Sequence, residues 1–147
     1  MLTSTLRAQH TCLLDQATRL GGIVSASQTS DTTRRARLLL LEIDGMLVDH
    51  LTIEDEWLYP TLMASPDPRV QSQAAGYAED MGGILGAWIA YRTQWEEAAI
   101  SANFDRFRIA TSGIIGALAV RIERENVDLY PAMDRLLQDA DRIATAA

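Results

Sequence analysis

Four stretches of the chain place apolar residues three and four apart, and none alternates in the manner of a strand. In the first, Leu6, His10, Leu13, Ala17 and Leu20 fall on one helix face. The second opens at Ser30 and Asp31, both good N-caps, and carries Ile43, Leu47, His50, Glu54 and Leu58 on one stripe. Pro66 and Pro68 then punctuate the chain, with Pro68 placed to begin a third helix. That helix is expected to run through Tyr77, Met81, Ile84, Trp88, Tyr91 and Trp95, with Gly82 and Gly83 inside it. A fourth follows Ser101 to Asn103 and reads Phe107, Ile114, Leu118, Arg121, Glu125 and Leu129. Four long amphipathic segments joined by short polar connections predict an all-α, up-down-up-down four-helix bundle filling one domain, residues 1–147.

An internal repeat lies across this pattern. His50, Glu54, Leu58, Tyr59 and Pro60 in the second helix are matched by Arg121, Glu125, Leu129, Tyr130 and Pro131 in the fourth. In such a bundle these helices sit diagonally across the core, so the repeat presents similar groups at similar depth. Proline costs about 3 kcal/mol inside a helix, and its position in both copies predicts a kink or a terminal turn. Tyr59 and Tyr130 fall about half a turn from the Glu-bearing stripe, which predicts capping or interface roles. Trp57 and Tyr59 would suit the face of a homodimer if exposed.

Composition narrows the class. Hydrophobic residues make up 48% and charged residues 22% of 147, the balance of a folded globular domain. The net charge of −7 disfavours nucleic acid and anionic membranes as partners, since both demand a basic face. Cys12 is the single cysteine, which excludes an internal disulfide and a zinc site built on several thiolates. The longest apolar run, Met81 to Tyr91, falls short of the roughly 20 residues that span a bilayer, and residues 1–10 lack a signal-type apolar run. The expectation is a soluble, cytoplasmic domain.

The chemistry is carried by ionisable residues on the core stripe. His10 takes an apolar position in the first helix, His50 and Glu54 take successive core positions in the second, and Arg121 and Glu125 do so in the fourth. Buried ionisable groups must be paired, hydrogen-bonded or bound to a metal. Two imidazoles and two carboxylates converging from three helices form a ligand set suited to a first-row metal. Taken singly, each has a plainer reading: His10 as a satisfied core histidine, Arg121 with Glu125 as an intrahelical ion pair, Cys12 as a boundary residue. The Tyr77, Trp88, Tyr91 and Trp95 stripe reads as core packing. There is no phosphate-binding glycine loop and no nucleophile elbow.

On these residues the chain resembles the hemerythrin and hemerythrin-like HHE cation-binding domains. Their pattern has a His on helix one, His-x-x-x-Glu with a Leu-(Phe/Tyr)-Pro tail on helix two, a His on helix three, and a second His-x-x-x-Glu with the same tail on helix four. The resemblance implies metal-ligand roles for His10, His50, Glu54 and Glu125. It also implies two departures: Arg121 stands where the helix-four His belongs, and Met81 stands about where the helix-three His belongs. In the family two irons are bridged by carboxylates, and both departures fall on the ligands of one iron. What remains suits one iron, manganese or zinc per chain, with Arg121 standing in for the charge of the second.

Reversible dioxygen carriage in the family draws electrons from two irons, so oxygen transport is not expected here. The first expectation is a metal-binding protein that senses or handles metal, a small oxidant or a diatomic gas. A metal-free interaction or regulatory module, with a protein partner, is the alternative, and a peroxidase-like or nitric-oxide-handling oxidoreductase is a third.

Overall fold

The computed structural model describes residues 2–146, which are helical almost throughout and contain no strand. The helices are α1 (Leu2–Ser25), α2 (Ser30–Ile53), α3 (Tyr59–Met63), α4 (Pro68–Met81), α5 (Ile84–Gln94), α6 (Glu97–Ala102), α7 (Phe104–Arg124) and α8 (Tyr130–Ala146). Two wide π-helical turns, Glu54–Leu58 and Glu125–Leu129, join α2 to α3 and α7 to α8 without leaving the helical path. Helix α1 packs on α2 and α7, and α5 packs on the same two helices. The core between them holds Leu6, Leu13, Leu47, Trp88, Phe107 and Leu118 among others.

Local chemistry sets the helix ends. Helix α2 is capped one residue earlier than Ser30: the Thr29 hydroxyl accepts from the Thr32 amide and the Thr32 side chain accepts from the Thr29 amide, a reciprocal capping box. Asp67 caps α4 by accepting from Arg69 N–H, and Pro68 sits in the first turn, where no amide is missed. The expected third helix is interrupted at Gly82–Gly83. A Cβ on Gly82 would lie 2.5 Å from the Ala78 carbonyl oxygen, so the tight end of α4 demands glycine there. The apolar spacing carries on across this break, which is why the sequence reads as one helix.

The prolines of the repeat end neither helix. In each copy the turn before proline widens, so that Tyr59 N–H bonds the Glu54 carbonyl and Tyr130 N–H bonds the Glu125 carbonyl, five residues back. Proline has no N–H to offer and its ring crowds the preceding turn, and one wide turn accommodates both. The helix then continues, in the fourth segment as far as Ala146.

Candidate metal centre

His10 from α1, His50 from the last turn of α2, and Glu54 and Glu125 from the two π turns converge in the core, each at most 1% exposed. One ligand atom from each of the four lies within 4.8 Å of the others. The imidazoles of His10 and His50 are 4.7 Å apart, centre to centre. All four residues expected from the sequence are thus brought to one point. Arg121, also 1% exposed, lies beside them.

Both imidazoles are oriented from outside the cluster. His10 Nδ1–H donates to Asn126 Oδ1 at 2.8 Å, and His50 Nδ1–H donates to Gln9 Oε1 at 2.7 Å. A neutral imidazole carries one proton, so each Nε2 turns a lone pair inward. His50 Nε2 meets Glu54 Oε1 at 3.1 Å, and His10 Nε2 meets Glu125 Oε1 at 3.2 Å. Both contacts set acceptor against acceptor. His50 Nε2 and Glu125 Oε1 are in fact buried without a hydrogen-bond partner. Only a cation between such atoms, a proton or a metal ion, makes the contacts attractive. Outer partners that fix the tautomer of inward-facing histidines are a regular feature of metal sites.

The carboxylates are held crosswise by the repeat. Tyr130 donates to Glu54 Oε2 at 2.6 Å, and Tyr59 donates to Glu125 Oε2 at 2.9 Å, so the tyrosine of each copy serves the glutamate of the other. The Tyr130 oxygen also lies 3.0 Å from His10 Nε2. Both tyrosines are therefore site residues, not caps or interface groups. Tyr59 is only 4% exposed, which removes it from any dimer face, while Trp57 is half-buried. The wide turn is the reason: it brings the residue five after each Glu round to the core, where an α-helix would carry it away.

Arg121 binds the other side of the carboxylates. Its Nε donates to Glu125 Oε2 at 2.9 Å, and its Nη2 donates to Asp55 Oδ1 at 2.8 Å and to Glu54 Oε1 at 3.4 Å. Nη1 donates to the Met81 carbonyl at 3.3 Å, at the end of α4, and the guanidinium covers the Tyr59 ring. The intrahelical pair with Glu125 is real but buried, and it is one part of a wider network. Met81 contributes a backbone carbonyl as well as volume.

These contacts set the protonation. Burial lowers His50 to about 4, with the Glu125 charge opposing and Arg121 reinforcing the shift. Burial and the neighbouring Glu125 charge raise Glu54 well above the usual carboxylate range. Burial would also raise Glu125, but the His10 ring beside it and the Arg121 charge outweigh it and hold Glu125 low. Burial would lower Arg121, yet Glu125 and Glu54 keep it above its ordinary value, a permanent cation. Burial and the carboxylates raise both phenols, so Tyr59 and Tyr130 act as hydrogen-bond donors.

Gln9, Asn126 and Asp55 escaped the sequence reading because no periodicity rule pairs a residue with the neighbour of a core position on another helix. For Tyr59 and Tyr130 a signal was present in the repeated Leu-Tyr-Pro tail. No helix among the described residues is long and apolar enough to cross a membrane. No curated protein and no solved structure matches the chain. A match to the hemerythrin HHE cation-binding domain does extend over residues 1–144, taking in every helix that contributes to the cluster. The chain belongs to the hemerythrin HHE cation-binding domain family.

Proposed function

We propose that this protein holds one divalent metal ion per chain, iron, manganese or zinc, through His10, His50, Glu54 and Glu125. The four long helical segments would form an up-down-up-down bundle, and residues 1–147 a single domain around that site. The observation that carries the reading is the pair of buried acceptor–acceptor contacts, His50 Nε2 to Glu54 Oε1 and His10 Nε2 to Glu125 Oε1. Two imidazoles and two carboxylates are a suitable donor set for such an ion. When bound, the metal would supply a Lewis-acidic and, for iron or manganese, redox-active centre. The chain's own residues position it: Gln9 and Asn126 fix the rings, Tyr59 and Tyr130 hold the outer carboxylate oxygens, and Arg121 supplies a fixed positive charge.

A protein with one metal and one arginine is suited to sensing or handling metal or small oxidants, not to oxygen carriage by two irons. The Arg121 network favours a second reading, a metal-free interaction or regulatory module, because the guanidinium already meets Glu54, Asp55 and Glu125.

Elemental analysis of protein purified without chelators or affinity metals separates the two. About one metal per chain is expected, and His50→Ala should abolish uptake while circular dichroism stays helical. About two metals per chain would overturn the role given to Arg121 and Met81. None, even after anaerobic addition of Fe(II), would establish the metal-free module.

A further inference from the structure

Among the described residues, Glu54 and Glu125 are the only buried acids, and Arg121 is the only buried side chain with a permanent positive charge. Charges are stable in a protein interior only where opposite charges nearby offset them. A divalent ion held by both carboxylates and two neutral imidazoles leaves the four-residue cluster without net charge. Arg121 then needs a partner of its own, and Asp55 Oδ1 supplies it, accepting from Nη2 at 2.8 Å. Every charge is thereby matched when the ion carries two, and one positive charge is left over when it carries three.

The leftover charge meets an unfavourable neighbour. Arg121 Nε donates to Glu125 Oε2 at 2.9 Å and Nη2 donates to Glu54 Oε1 at 3.4 Å, so the guanidinium touches both carboxylates of the cluster. Its side chain is 1% exposed and little screened by water, whereas that of Asp55 is 28% exposed, which weakens the Asp55 charge. The balance of the pair, felt at the cluster, is positive. Tyr59 and Tyr130 act in the same sense. Each directs its O–H to a carboxylate oxygen, drawing electron density from the groups that a trivalent ion would need most.

We propose that Arg121, tempered by Asp55, makes this site select the divalent over the trivalent state of its metal, so that bound iron favours the ferrous form. The inference rests on the metal-binding reading above and adds the oxidation state to it. A unit charge about 4–6 Å away, at an effective dielectric constant of about 20, biases such an equilibrium by roughly two to three powers of ten. Asp55 offsets part of this, which leaves about 100-fold.

The full chain is loaded anaerobically with Fe(II), and uptake is measured by elemental analysis. The one-electron midpoint potential is then titrated at an electrode through mediators, which supply and accept the electron. Arg121→Gln is expected to favour the ferric form about 100-fold more than the native chain does, a fall of about 120 mV at roughly 59 mV per tenfold. Asp55→Asn removes the counter-charge of Arg121 at a partly exposed position and should move the potential the opposite way, up by about 60 mV for a tenfold change. Arg121→Lys keeps the charge and should stay nearer the native potential than Arg121→Gln does. Circular dichroism checks the fold of each variant, and the sign of the Asp55→Asn shift decides should Arg121→Gln not fold. Fe(II) uptake with a potential that Asp55→Asn does not raise, or that folded Arg121→Gln does not lower, overturns this inference alone. A native chain that takes up no Fe(II) overturns the metal-binding reading and this inference with it.

Discussion

The two copies of the repeat use one backbone design to opposite electrostatic ends. Each has a glutamate at the start of a wide turn, and each has a tyrosine five residues on that reaches the other copy's glutamate. They differ four residues before the glutamate. His50 in the first copy is an uncharged ring with its lone pair facing Glu54 Oε1, oriented by Gln9. Arg121 in the second is a permanent cation that meets Glu125, Glu54 and Asp55. The first copy creates a demand for a cation and the second provides one. The same position on the same scaffold thereby holds either an inward-facing lone pair or a built-in counter-charge, and the backbone is indifferent to which.

Removing the counter-charge should have the largest effect. Arg121→Ala leaves the buried Glu125 charge without its counter-ion, and breaking a buried ion pair in this way costs about 3–5 kcal/mol. Urea unfolding of the chelator-treated protein measures it, and a loss below about 1 kcal/mol would mean the network has other means of balance.

The His50 copy is probed by pH. In the folded, metal-free chain His50 titrates near 4, against 6.5 for an unhindered histidine. As pH falls through that window, unfolded chains take up a proton that folded chains refuse. Stability is therefore full above about 6.5 and declines toward 4. At about 1.36 kcal/mol per pH unit the loss approaches 3 kcal/mol. Glu54, raised in the folded chain, acts in the opposite sense, so the difference between native and His50→Gln curves isolates the histidine. Parallel curves would refute the assignment.

The crossed tyrosines sharpen the comparison at a smaller scale. Tyr130→Phe deprives Glu54 Oε2 of its donor and should cost about 1–3 kcal/mol. Tyr59→Phe should cost less, because Glu125 Oε2 keeps the Arg121 Nε–H. The same unfolding measurement ranks them, and the reverse order would show that Arg121 does not substitute for Tyr59.

Much of this was legible in the chain itself. Helical spacing marked the long segments, and the cost of burying ionisable groups singled out His10, His50, Glu54 and Glu125, because an inward-facing position is fixed by periodicity alone. The same spacing misread residues 77–95 as one helix, since apolar periodicity is blind to the close approach at Gly82. It also turned Tyr59 and Tyr130 away from the site, because counting at 3.6 residues per turn cannot register a turn that holds an extra residue.

The amino-acid order thus determined which charges are buried and at what depth in the helices. Only the tertiary structure decided their partners: Asn126 for His10, Gln9 for His50, and the crossed tyrosines for the carboxylates. Periodicity describes one helix at a time, whereas the protonation and orientation of a buried group depend on what the neighbouring helices bring to within 3 Å of it.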